Sequence, residues 1–172
     1  MAARDVTAGG DDGLRARMGT MAANAALAGG RSEQALTILS AALNDSAKAA
    51  DAALTGGILT DQARALVALG RNDDAAKALE LARAAPDNPT AWLLSATLSR
   101  RMGKLAEAQT QIETAAQLQP VDPEIGLEAG VIAVLAGRDE AARKSWQSVI
   151  AAAPDSAFAA TARGYIAQLA TP

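Results

Sequence analysis

Histidine and cysteine are both missing from the 172 residues. Their absence removes zinc sites of the Cys/His type, haem ligated by either residue, thiol nucleophiles and every catalytic triad that uses imidazole as base. Without cysteine there is also no disulfide, so redox chemistry does not point to a compartment. Aromatic side chains are nearly as scarce, with two Trp, one Tyr and one Phe making 2% of the chain. The net charge is only −3 and the pI near 5.0, which provides no basic field for nucleic acid or anionic lipid. Every apolar run is interrupted by charge well before about 18 residues, so no direct membrane insertion is expected. The first 13 residues, MAARDVTAGGDDG, carry three aspartates and no apolar core, unlike a signal peptide. Residues 1–13 therefore read as a flexible lead-in. The chain as it stands is expected to be cytoplasmic, or periplasmic if an N-terminal anchor was removed.

What is present is alanine, about a quarter of the chain, within an apolar content of 50%. Small apolar side chains with few large ones suit close-packed helices, because Ala has the best helix propensity and no rotamer freedom to lose. They suit a β-sandwich poorly, since strands favour branched and aromatic residues. The length matches one compact domain or a short repeat array.

A repeat is visible. Four glycines are each followed by a basic residue: Gly30-Arg31, Gly70-Arg71, Gly103-Lys104 and Gly137-Arg138. Five residues after each glycine comes Ala35, Ala75, Ala108 or Ala142, and seven before it Ala23, Ala63, Ala96 or Gly130. Twelve after it come Ala42, Ala82, Ala115 and Val149, and Pro86, Pro120 and Pro154 close the last three units. A glycine between two helical patterns takes the left-handed conformation that ends one helix and turns into the next. The small residues on either side mark where two antiparallel helices approach most closely. Leu105, Ala108, Ile112, Ala115 and Leu118 recur at three and four, one buried stripe of a helix. The pattern predicts nine helices, at about 14–29, 32–53, 58–69, 72–85, 89–102, 105–118, 122–136, 139–152 and 155–169. Asp155 or Ser156 would cap the last. Gly56-Gly57 is the expected breaker after the second helix and a candidate hinge.

These residues resemble the tetratricopeptide repeat family, whose unit of about 34 residues is a helix-turn-helix hairpin. The match is best over Pro89 to Asp122, where Trp92, Ala96, Gly103, Ala108, Ile112, Ala115 and Pro120 stand at the family's positions. It continues through Gly130, Gly137, Ala142, Trp146, Val149 and Pro154, and backwards through Ala63, Gly70, Ala75, Leu79 and Ala82. It is weakest over Ala23, Gly30, Ala35, Leu39 and Ala42, a unit with extra residues and no proline. The family's first-helix tyrosine is replaced by Ala26, Leu66, Ser99 and Ala133. The resemblance implies an all-α, right-handed α-solenoid of about four hairpins, from a bacterial source. The array would span 14–170, with units at about 16–54, 56–88, 89–122 and 123–156 and a C-terminal capping helix at 155–169.

The resemblance also implies a non-catalytic scaffold that holds a peptide or protein segment in a concave groove lined by the first helices. The candidate groove residues are Asn24, Arg64, Leu93, Thr97, Arg100, Arg101, Leu127, Val131 and Tyr165. One subclass of the family captures a C-terminal carboxylate with Lys, Asn and Arg. Asn24 stands at one of those positions, but Thr20, Asp61, Thr90 and Leu94 occupy others, so that clamp is not present as a set. Asp73-Asp74 and Asp139-Glu140 fall in first turns, where negative charge complements the helix dipole, and no phosphate-binding loop occurs. No catalytic residue, metal or cofactor is expected. The partner is a protein or peptide and not nucleic acid, and the chain itself is expected to be a monomer or weak homodimer. Two other roles are consistent with the resemblance: the soluble part of a membrane-tethered envelope or cytochrome assembly factor, and a structural module that self-associates through its apolar edges.

Overall fold

The computed structural model describes residues 2–169, with side chains from Asp11 onward. The parts of the expected lead-in and array that fall on residues 1 and 170–172 lie outside the described residues. Among the described residues there are nine helices and no strand: α1 (Ala2–Ala28), α2 (Ser32–Ala49), α3 (Ala52–Ala68), α4 (Asn72–Arg83), α5 (Pro89–Arg101), α6 (Leu105–Leu118), α7 (Pro123–Leu135), α8 (Asp139–Ala152) and α9 (Ala157–Leu169). The all-α expectation holds.

The four glycine corners share one backbone solution. Gly30, Gly70, Gly103 and Gly137 have φ of 71°, 74°, 77° and 70°, the left-handed region that a side chain makes costly. The basic residue after each donates its N–H to a carbonyl five residues back, on Ala26, Leu66, Ser99 and Ala133, at 2.8–2.9 Å. This is the Schellman arrangement, which satisfies carbonyls the helix end would otherwise leave unpaired. The carbonyl of the same basic residue then accepts from Ala35, Ala75, Ala108 or Ala142, starting the next helix. One residue therefore ends one helix with its N–H and begins the next with its C=O.

First helices of the hairpins begin differently, on a polar side chain. The Asp51 carboxylate accepts from Leu54 N–H at 2.9 Å, Asn88 Oδ1 from Ala91 at 3.2 Å, and Asp122 Oδ1 from Glu124 and Ile125 at 2.9 and 3.0 Å. Of the two candidates for α9 it is Ser156 that caps, its hydroxyl oxygen accepting from Ala159 N–H at 3.1 Å.

Two expectations change. The break after α2 falls at Ala50, with φ 54°, and Asp51, and not at Gly56-Gly57, which lie inside α3. Asp51 N–H reaches back to Ser46 O, so a Schellman turn forms on alanine because the strong Asp51 cap begins α3 at once. Gly56 serves a close approach instead: a Cβ there would stand 2.3 Å from Ala85 Cβ. The lead-in is also helical, since α1 runs back to Ala2. Half-buried Gly13 already lies against α2, its Cβ direction 3.7 Å from Ala49 Cβ, and extending an existing helix costs far less than nucleating one.

The chain divides into two compact units, Met1–Ala91 and Trp92–Pro172. In the first, α1 pairs with α2 and α3 with α4, and α3 rests on the first hairpin. Its core holds Ala16, Ala23, Ala26, Ala35, Leu39, Ala42 and Ile58, all at most 2% exposed. In the second, Leu93 and Ala96 of α5, Ala108, Ile112 and Ala115 of α6, and Ile125 and Ile132 of α7 make one cluster. Ala133, Ala142, Trp146, Val149 and Ala162 make the next, joining α7, α8 and α9.

Candidate functional site

The second unit contains an apolar cleft whose shape depends on one glycine. Trp146 projects from α8 onto α7, where Gly130 has no side chain; a Cβ there would fall 2.0 Å from the indole Nε1. The indole is only 3% exposed and donates through Nε1–H to Leu127 O at 3.1 Å. Its ring centroid lies 5.0 Å from that of Tyr165 on α9, with the planes tilted by 42°. Such a tilted pair is favourable beyond the area it buries. Around it is an open cleft of about 350 Å³ lined by Val131, Val134, Leu135, Trp146, Tyr165, Gln168 and Leu169. None of these carries a formal charge. Leu135 is 53% exposed at its edge, and Leu127 packs on the same cluster beneath.

The expected groove residues divide unevenly. Val131 and Tyr165 line this cleft, with Leu127 beside them. Leu93 does not line a groove: it is 9% exposed and belongs to the core with Ala96 and Ile112, because its side of α5 packs toward α6 and α7. Thr97 and Arg100 are half-buried, and Arg101 is exposed at the end of α5. Asn24 and Arg64 are exposed residues of the other unit, on α1 and α3.

Two of the three arginines expected to face a ligand, Arg64 and Arg100, are already engaged. Arg100 makes a two-pronged ion pair with Glu128 of α7, Nε to Oε1 at 2.6 Å and Nη2 to Oε2 at 3.3 Å. Arg64 binds Asp61, one turn earlier on α3, at 2.8 Å, and Arg17 binds Asp51 at 3.0 Å. Asp61, at a position where the carboxylate-clamp subclass would need a donor, is a 6% exposed acid. Thr20 donates to Ala16 O within its own helix.

Gln168 and Leu169 were not among the expected site residues. Their spacing of three and four from Tyr165 places all three on one face of α9. The acidic partner of Arg64 was within reach of the same rule, whereas Glu128 lies 28 residues from Arg100 and has no local signal.

One of the paired carboxylates, Asp74, is held in an ion pair within its own turn. Arg71 holds Asp74 at 2.8 and 3.1 Å, and this hydrogen bond, followed by the Arg71 charge, keeps the Asp74 carboxyl below its ordinary range. Among the described residues no group of three or more His, Cys, Asp or Glu could hold a metal, and no helix is long and apolar enough to cross a membrane.

Two tetratricopeptide repeat models match this chain, over residues 56–98 and 93–157. The search of curated proteins found no match. Among solved structures, the chain is similar to the first tetratricopeptide domain of Spaghetti (RPAP3) bound to the HSP90 peptide SRMEEVD, at 22% identity over 67% of this chain and 94% of that one, with a TM-score of 0.61. A tetratricopeptide repeat protein from Parabacteroides merdae is 17% identical over 90% of this chain and 59% of its own, with a TM-score of 0.70. MamA is 15% identical over 81% and 82%, with a TM-score of 0.60. Identities this low speak to the fold alone. The glycine corners, the small residues flanking them and the two matching repeat models lead to one conclusion: the chain belongs to the tetratricopeptide repeat family.

Proposed function

We propose that this chain is a non-catalytic binding module that takes an aliphatic segment of a partner protein into the cleft between α7 and α9. The tetratricopeptide fold is a protein–protein interaction module, and the reading rests on the charge-free lining of Val131, Val134, Leu135, Tyr165 and Leu169. Apolar side chains of a partner inserted there would be removed from water at about 25 cal/mol per Å². The similar Spaghetti domain is bound to SRMEEVD, a peptide with three acidic side chains. Here Arg17, Arg64 and Arg100 are each paired with a carboxylate of the chain itself, so an acidic segment would meet cations already partly neutralised by Asp51, Asp61 and Glu128. A partner carboxylate placed there would also approach those acids, and like-charge repulsion opposes it. Arg101 is left for the rim, where charge affects encounter rate more than affinity. No metal or cofactor enters this reading.

The test is a peptide-display selection on the wild type and on Val131→Glu with Leu135→Glu, with circular dichroism to check that both fold. Enrichment of sequences with two or more aliphatic anchors, weakened at least tenfold by the double variant, is the expected result. Selection of acidic tails, or affinities indifferent to the variant, would overturn the reading.

A further inference from the structure

A second surface is unlike the rest of the molecule. Leu14, Met18 and Met21 on α1 are 58%, 62% and 73% exposed, and exposed Ala25 and Ala28 continue the same spacing of four and three residues. At about 100° per residue this is one straight stripe. It lies on the side of α1 opposite Ala16 and Ala23, which are 0% exposed and face the core with Ala26. The stripe is thus not the hydrophobic face that folds this helix. The corner register identifies it: relative to Gly30 and Gly70, Met18 and Ala25 correspond to Ile58 and Ala65 of α3, both 0% exposed. Ile58 is buried in the cluster supplied by α1 and α2, the hairpin before it. In α1 the equivalent face is bare.

We infer that a second copy of this chain covers this face, through antiparallel pairing of α1 with α1 about a two-fold axis between Met18 and Met21. Three features favour a copy of the chain itself. The stripe grades from large at Leu14 to small at Ala25 and Ala28, so reversing one helix sets Leu14 against the partner's Ala25 and Met18 against the partner's Met21. A two-fold interface needs this kind of self-complementarity. Charge agrees: Asp11 at one end and Arg31 just beyond the other are both exposed, and reversal brings each toward its opposite, whereas parallel pairing would set Asp11 against Asp11. The flanking Arg15 and Arg17 meet Ala22 and Asn24 of the other helix, not like charge. The area is adequate for a weak association, since the stripe and its rims on two copies remove on the order of 1,000 Å², the low end of specific interfaces. This surface is separate from the α7–α9 cleft, and the inference does not rest on the proposed function.

Sedimentation equilibrium over about three decades of concentration, reaching the millimolar range, should show reversible dimerisation that Met18→Glu weakens at least tenfold. Met18 is exposed, so the variant keeps the fold, and circular dichroism checks this. Orientation is read from disulfides, which the cysteine-free chain makes unambiguous: mixing Leu14→Cys with Ala25→Cys chains should give the mixed cross-link in preference to either self-pair. Monomer at every concentration, a dimer indifferent to Met18→Glu, or preferential linking of Leu14→Cys to itself would each overturn the inference.

Discussion

Replacing Gly130 by alanine adds one methyl group where Trp146 already stands. The new Cβ would lie 2.0, 2.4 and 2.6 Å from indole Nε1, Cε2 and Cδ1, against a normal carbon contact of about 3.5–4 Å. The far end of a flexible chain could swing aside cheaply. An indole that is 3% exposed, hydrogen-bonded to Leu127 O and packed against the tilted ring of Tyr165 cannot. Overpacking of this kind costs about 1–3 kcal/mol, and loss of the buried indole hydrogen bond adds about 1–2. Alanine in place of glycine inside a helix returns about 0.5–1 kcal/mol. The balance is a destabilisation of about 2 kcal/mol. Urea unfolding followed by Trp146 fluorescence, with Trp92→Phe in every member of the series, measures it. A second substitution then tests the cause. At the equivalent places of the preceding hairpin Ala96 and Ile112 share one core, 0% and 1% exposed, so Trp146→Ile should rescue Gly130→Ala. The double-mutant cycle should show a favourable coupling above about 1 kcal/mol, as expected for residues in contact. A neutral or stabilising Gly130→Ala, or strict additivity with Trp146→Ile, would refute the steric argument.

Two glycines with equally open surroundings should respond in opposite directions. Gly103→Ala should cost about 1 kcal/mol, since φ of 77° is unfavourable for alanine although nothing stands within 4 Å. Gly57→Ala, inside α3 at ordinary helical geometry and also with open space around it, should stabilise by about 0.5–1 kcal/mol. Chemical denaturation of both variants checks the pair, and equal effects would contradict it. Asp74→Asn should lower stability slightly at neutral pH, where the ionised carboxylate is favoured by Arg71. Because the folded pKa is depressed, that contribution is present above the unfolded value of about 4 and is lost as the pH falls through the folded value. The stability curves of wild type and variant should therefore converge in acid, and a gap that stays constant with pH would exclude the ion pair as its source.

The division between what could be read and what could not follows sequence distance. The corners were readable because each is a local backbone event: a left-handed glycine, an N–H reaching five residues back and a carbonyl serving the next helix. The small residues seven before and five after carry the same information into packing, as the complete burial of Ala23, Ala96, Ala35 and Ala108 shows. Gly56-Gly57 misled because glycine marks both a break and a close approach. Ala85 decides between them, and it comes from another helix. Residues 2–13 misled in the same way, their turn-forming composition yielding to a helix already held against α2.

The candidate site shows the same limit more sharply. The family's groove positions placed Leu127, Val131 and Tyr165 on faces that meet at the cleft, but they also included Leu93, which is core, and Arg64 and Arg100, which are paired within the chain. By itself the sequence determined the all-α class, the hairpin register, the corner chemistry and the absence of imidazole and thiol chemistry, all of which depend on composition or on neighbours within a turn or two. Only the tertiary structure decided that Glu128 neutralises Arg100, that Trp146 occupies the space Gly130 leaves, and that Leu14, Met18 and Met21 remain uncovered. Burial and ion pairing between helices depend on which side chains meet in space, and no spacing along one helix specifies that.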